Sequence, residues 1–194
     1  MRGTGRRGKS RRDLLAWTGI VGPSVFVADW ATLGARRPGY SPINDAISRL
    51  AERGTSSRRQ MTSGFIVYGA GLIGYGLALR GQLPGSAWMM AIGSGVATLG
   101  VAAFPLGTPL SGAVHAVFAS LGYATLAALP IVSSPALVAT GRRKLGGLSL
   151  LTGATTGTLL LASAVGLPAH GLVQRLGLTL GDTWVVLSAV AMLR

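Results

Sequence analysis

The sequence contains no cysteine. That excludes a disulfide framework, a Cys-ligated metal and a thiol nucleophile. Acid is nearly as scarce: Asp13, Asp29, Asp45, Glu52 and Asp182 are the only five acidic residues, against 18 Lys plus Arg. Charged residues of either sign make up 12% of the 194 positions, about half of the roughly 25% usual in a soluble domain. A soluble nucleic-acid binder with a net charge of +13 would carry far more charge of both signs, so no nucleic acid is expected as a partner. A disordered basic chain would be poor in apolar residues. Here 49% are hydrophobic and the mean hydropathy is +0.50. Glycine is abundant, with 30 residues, roughly double its usual share of about 7%.

A membrane-spanning helix needs about 20 mostly apolar residues. Six stretches meet or approach that length: 14–33, 61–79, 87–104, 115–132, 147–165 and 179–193. They predict an all-α, polytopic membrane bundle of six transmembrane helices. A basic tail over 1–13 precedes a single domain over 14–194. Glycine inside the spans suits helix packing in lipid, where close approach relies on small residues. Gly153 and Gly157 form a GxxxG pair, read as packing within the bundle rather than as a dimer contact. Pro23 and Pro130 lie within spans and are expected to bend them.

Lys and Arg favour the cytoplasmic side. With the N terminus inside, the inner side collects the six basic residues of the tail, Arg80, Arg142, Arg143, Lys144 and Arg194. The outer side collects Arg36, Arg37, Arg49, Arg53, Arg58, Arg59 and Arg175. The balance places both termini in the cytoplasm and the chain in the plasma membrane. Ser10-Arg11-Arg12-Asp13 has the look of a twin-arginine signal, but no small-x-small cleavage site follows. It reads as a basic anchor before an uncleaved first helix. The preference for Arg over Lys suggests a GC-rich bacterium.

On this arrangement both histidines and four of the five acids fall on the outer side. Asp45, Ser48 and Arg49 lie in the first loop, and His115 opens the fourth span. His170, Gln174 and Arg175 occupy the loop before the sixth span, and Asp182 lies near that span's outer start. Within the first loop, Ser41-Pro42 reads as an N-cap followed by proline at the first helical position. Ile43, Ala46, Ile47, Leu50 and Ala51 then recur at helical spacing. Asp45 and Arg49 form an i,i+4 pair, and Gly54 is placed to end the helix. The pattern predicts a short amphipathic surface helix over about 42–53, covering the mouth of the bundle.

Three segments carry a resemblance. Tyr40 through Leu50 resembles the "Tyr, then Ile-Ser-x-Leu" loop of the membrane family called domain of unknown function 998. Phe104-Pro105 followed by His115 is similar to its Phe-Pro…His feature. Gly171 through Arg175 is similar to its Gly-x-x-x-Arg segment before the last span. This chain has Arg49 where an acid commonly follows the serine. The resemblance implies six helices, points to Ser48, His115 and Arg175, and supplies no reaction.

Ionisable groups at membrane depth are costly and mark function by default. A pocket formed by Asp45, Ser48, Arg49, His115, His170 and Arg175 is the candidate ligand site, for a lipid head group or a small polar ligand. Arg175 could pair bidentately with phosphate or carboxylate. Structural pairing of Arg175 with Asp182 or Asp29 is the plainer alternative. An intramembrane lipid-modifying enzyme would need zinc ligands or a serine with a general base, and the HExxH and GxSxG spacings are absent. Haem between the two histidines is a further reading. No metal and no cofactor are expected. The partners expected are the bilayer, a lipid or small molecule, and, if the chain is a non-catalytic subunit, another membrane protein.

Overall fold

A computed structural model describes residues 4–194, with side chains from Arg11 onward. The side chains of Arg2, Arg6, Arg7 and Lys9, on which the tail's basic count rests, lie outside the described residues. Six α-helices follow one another: α1 (Thr4–Arg36), α2 (Arg58–Leu79), α3 (Ala87–Ala103), α4 (Pro109–Ala139), α5 (Arg143–Ala164) and α6 (His170–Leu193). Five contain stretches long and apolar enough to cross a membrane. The exception is α3, apolar but only 17 residues long, or about 26 Å at 1.5 Å per residue.

Each helix packs on its neighbours in sequence, and α6 closes back onto α1, so the six form a ring. The loops α1–α2, α3–α4 and α5–α6 share one end, here called the loop end. Large apolar side chains such as Trp17, Val96, Leu121, Leu151, Leu161 and Leu187 are exposed on the outside of the ring, as lipid contact requires. Tyrosines fill the inside. Tyr68 donates from α2 to Asp182 of α6 at 2.6 Å, and Tyr75 shares a 2.6 Å hydrogen bond with Ser188.

Small residues set the helix separations. A Cβ on Gly69 would lie 2.8 Å from the Gly95 carbonyl oxygen, and one on Gly95 would lie 2.5 Å from that of Gly69. Any side chain there forces α2 and α3 apart, because backbone cannot yield. The Gly153/Gly157 pair faces α4, where Ala127 meets both and Ile131 and Pro130 meet Gly153. Both α1 and α4 run on as helices through Pro23, Pro130 and Pro135. Ser149 of α5 donates to the Pro130 carbonyl at 2.7 Å.

Three predicted boundaries are corrected. First, α1 begins within the basic tail, at Thr4. Second, α4 begins at Pro109, six residues before His115; the Thr108 side chain caps it, accepting from the Ser111 N–H at 3.2 Å. Third, α6 begins at His170. His170, Gln174 and Arg175 are therefore its first turns and not a loop. Asp182, near the start of the predicted span, lies halfway along the real helix.

The amphipathic α-helix over 42–53 is also corrected. A single turn starts at Ser41, whose carbonyl accepts from the Asn44 and Asp45 N–H groups. Ala46 is extended at φ −63°, ψ 148°, and only a 3₁₀ turn, Ile47–Ala51, follows. Ile47, Leu50 and Ala51 are buried in the bundle mouth while Ile43 is exposed. The helix fails to propagate because its backbone groups are taken by α6, as described next.

Candidate functional site

The first loop is fastened to the start of α6 by four groups. Arg175 donates through Nη1 to the carbonyls of Pro42 (2.8 Å), Asp45 (3.0 Å) and Gly171 (2.7 Å), and through Nη2 to the Tyr40 hydroxyl. The Leu172 N–H, one of the unpaired donors of a helix N-terminus, donates to the Ile43 carbonyl at 2.9 Å. The Ile47 N–H donates to Gln174 Oε1 at 2.8 Å. Gly171 has no Cβ, which lets the Asp45 backbone lie directly on α6. A helix through 42–47 would need the Pro42 carbonyl for the Ala46 N–H, and Arg175 holds that carbonyl instead.

Arg175 is 5% exposed and forms no ion pair among the described residues. Its guanidinium is held by carbonyl and phenol oxygens and lies 5.3 Å and 5.6 Å from the ring centroids of Trp30 and Tyr40. Such stacking favours a planar, weakly hydrated cation. Burial pushes the Tyr40 phenol up from its ordinary range, opposed in part by Arg175. Tyr40 thus stays a neutral hydroxyl that accepts from Arg175 while facing the Asp45 and Ala46 carbonyls at 3.3 and 3.2 Å. The predicted pairs of Arg175 with Asp182 or Asp29 are not formed. Asp29 accepts from Gln60 at 2.8 Å, and Asp182 from Tyr68.

Beneath the fastened loop lies a cavity of about 60 Å³, room for on the order of four waters or a molecule of similar bulk. Ile47 and Ser48 roof it, and His115, Tyr123, Tyr68 and Gln174 line it with polar side chains. Ser94 and Thr98 of α3 join them, and Phe26, Phe65, Phe118 and Leu126 line the rest. His115 is 6% exposed, and its Nδ1 lies 2.9 Å from the Phe104 carbonyl. A carbonyl only accepts, so Nδ1 carries the proton, and in the neutral tautomer Nε2 is then an acceptor. Gln174 spends its amide oxygen on Ile47 and its amide nitrogen on the Tyr123 hydroxyl, which leaves the phenol proton of Tyr123 free to be donated.

Of the six residues singled out from sequence, Ser48 and His115 share this cavity. Asp45 and Arg175 hold its roof in place. Arg49 is an exposed rim residue within 3.7 Å of Asp45 and 3.8 Å of Glu52. His170 is half-buried at the first position of α6, where its carbonyl accepts from Ser163 at 2.9 Å; it does not line the cavity with His115. Tyr68 and Tyr123 are not picked out by the sequence, and Gln174 is placed there on the outer side but not in the pocket. The available signal was a glutamine and two tyrosines inside otherwise apolar helical stretches, where an O–H or amide needs a buried partner.

An all-helical chain with five long apolar helices, a shorter sixth, and polar side chains buried between them is a multi-pass integral membrane protein. The chain belongs to the family described as protein of unknown function (DUF998), whose model matches residues 20–191. That match spans the first loop, the Phe104-Pro105…His115 segment and Gly171…Arg175. No curated protein and no solved structure matches the chain.

Proposed function

We propose that the protein binds a small, uncharged polar molecule in the cavity between Ser48 and His115. The observation that carries this reading is the lining itself. Ser48 and Tyr123 offer hydroxyl protons, His115 offers an acceptor nitrogen, and aromatic and aliphatic side chains supply the remainder. A mostly apolar hollow with a few convergent polar groups is the usual form of a ligand site. No charged side chain lines it, and Arg175 is consumed by the loop carbonyls, so the arrangement disfavours an anionic lipid head group. In this reading all six helices span the membrane, with α3 the shortest. Both termini are cytoplasmic, supported by the eleven basic residues on that side against seven on the other, and the cavity opens toward the outer leaflet of the plasma membrane.

The test is chemical extraction of the purified, lipid-reconstituted protein followed by mass spectrometry of what is released. Ala119 lines the cavity, and Ala119→Leu fills it from one side. A neutral species released in roughly equimolar amount (saturation expected if its concentration exceeds Kd) and lost from Ala119→Leu supports the reading. Equal recovery from both proteins, or none from either, contradicts it.

A further inference from the structure

Asp182 is 3% exposed and lies on α6 twelve residues from its start, about 18 Å along the helix. Its Oδ1 accepts from Tyr68 Oη at 2.6 Å, and its Oδ2 has no hydrogen-bond partner among the described residues. One neutral donor and no cation is a poor environment for a carboxylate, since a buried charge needs a counter-charge and several hydrogen bonds. The charged and titratable groups on the surrounding elements are engaged elsewhere. On α1, Asp29 accepts from Gln60; on α4, His115 bonds the Phe104 carbonyl and Tyr123 bonds Gln174. On α6 itself, Arg175 bonds the loop carbonyls. The charged residues of α5, Arg143 and Lys144, lie in its first turn at the end opposite the cavity. On α2, Tyr68 bonds the carboxyl and Tyr75 bonds Ser188.

We propose that Asp182 and Tyr68 form a proton-binding site in the middle of the bundle, loaded from the cavity under the first loop. Tyr68 lines that cavity while its hydroxyl touches Asp182. A proton arriving on cavity water passes to Tyr68 Oη as the phenol proton moves to the carboxylate. The phenol ends neutral, the carboxylate becomes a carboxylic acid, and one proton has been taken up. Toward the other end of the bundle, Leu72 and Val185, both fully buried, separate this pair from Tyr75 and Ser188. The site needs only a proton carrier beside Tyr68 and does not depend on which molecule the cavity holds, so it can fail or stand independently of the binding proposal above.

Infrared spectroscopy of the full chain in lipid nanodiscs tests it. At neutral pH the wild type is expected to show the carbonyl stretch of a protonated carboxylic acid, shifting in D₂O, and Asp182→Asn to lack it. Tyr68→Phe is expected to keep the band and slow its exchange into D₂O by roughly tenfold or more, as loss of a positioned proton-transfer group does. Absence of the band in wild type overturns the proposal. So does its persistence in Asp182→Asn, or exchange in Tyr68→Phe at the wild-type rate. The wild-type and Tyr68→Phe arms decide the matter even if Asp182→Asn does not fold.

Discussion

Arg175→Ala is expected to destabilise the protein by about 3–5 kcal/mol, because it removes a buried charged donor from two carbonyls and a hydroxyl at once, each such bond contributing about 1.5–3 kcal/mol, while its Nε has no partner to lose. The size of the effect comes from what the guanidinium leaves behind. The Pro42 and Asp45 carbonyls and the Tyr40 hydroxyl each lose a charged donor inside the bundle mouth, and an orphaned buried polar group costs about 1–3 kcal/mol. Two aromatic faces, Trp30 and Tyr40, lose a stacked cation as well. Arg175→Lys retains the charge but not the fork that reaches carbonyls and phenol together, so it recovers only part of the loss. Unfolding in detergent measures both. Because the chain has no cysteine, a Ser48→Cys background adds a local readout: the thiol under the roof reacts slowly with a maleimide when Arg175 is present and quickly when it is not. Unchanged stability and unchanged labelling would show that the clamp does not hold the loop.

Gly171→Ala carries the second large effect, and here two terms oppose each other. Alanine gains up to about 1 kcal/mol over glycine in a helix. The added Cβ, however, would sit 2.5 Å from the Asp45 carbonyl oxygen, 2.8 Å from its nitrogen and 2.9 Å from its carbonyl carbon. All three are backbone atoms of a loop held by Arg175 at the Asp45 carbonyl and by Leu172 at the Ile43 carbonyl, so relief requires moving the loop, and overpacking of this kind costs about 1–3 kcal/mol. The clash wins, and the net result is destabilisation with faster labelling of Ser48→Cys. Gly147→Ala on α5 is the control. Nothing lies within 4 Å of its added Cβ, so it keeps only the propensity gain. If the two substitutions behave alike, the close approach of the loop to α6 is wrong.

These two residues explain why the Gly-x-x-x-Arg segment has its spacing. Positions i and i+4 share one helix face. Gly171 makes room on that face for the Asp45 backbone, and Arg175 grips the same residue's carbonyl one turn later.

Hydropathy was enough to find the helices, because each apolar run is bounded by Arg, Pro or Gly clusters. It placed the starts of α4 and α6 too late for a physical reason. The first turns of α6 carry Gln174 and Arg175, which face the loop or the cavity and not lipid, and α4 opens with Pro109, Ser111 and Gly112, so a search for apolar runs discards both starts. The capping rule had the information for α4: Thr108-Pro109 is the same Ser/Thr-Pro signature that was read at Ser41-Pro42. At Thr108 nothing competes for the new helix's backbone groups and the helix runs. At Ser41 the helix stops after one turn because Arg175 and Gln174 capture the groups it needs. That competition joins residues about 130 positions apart and cannot be read from local periodicity.

The same limit applies to the site. Ser48 and His115, which line the cavity, stand out in the sequence as a serine in a patterned loop and a lone histidine beside an apolar run, and the family resemblance points to both. The aromatic and amide partners do not, because tyrosine in a span is ordinary until its hydroxyl is seen to need a partner. Asp182 and Arg175, oppositely charged and on one helix, invite pairing on paper. They are seven residues apart, about 10 Å along the axis, and each finds oxygen or hydroxyl partners closer at hand.

The proposed function places one small polar molecule between Ser48 and His115, beneath the fastened first loop. An experimental density map of the lipid-reconstituted protein tests it most directly. The expected map shows the loop docked on α6 through Arg175, with compact density larger than a single water in contact with His115 Nε2 and the Ser48 hydroxyl. A loop lifted away from α6, or a cavity closed by its own side chains with no density between Ser48 and His115, would contradict it.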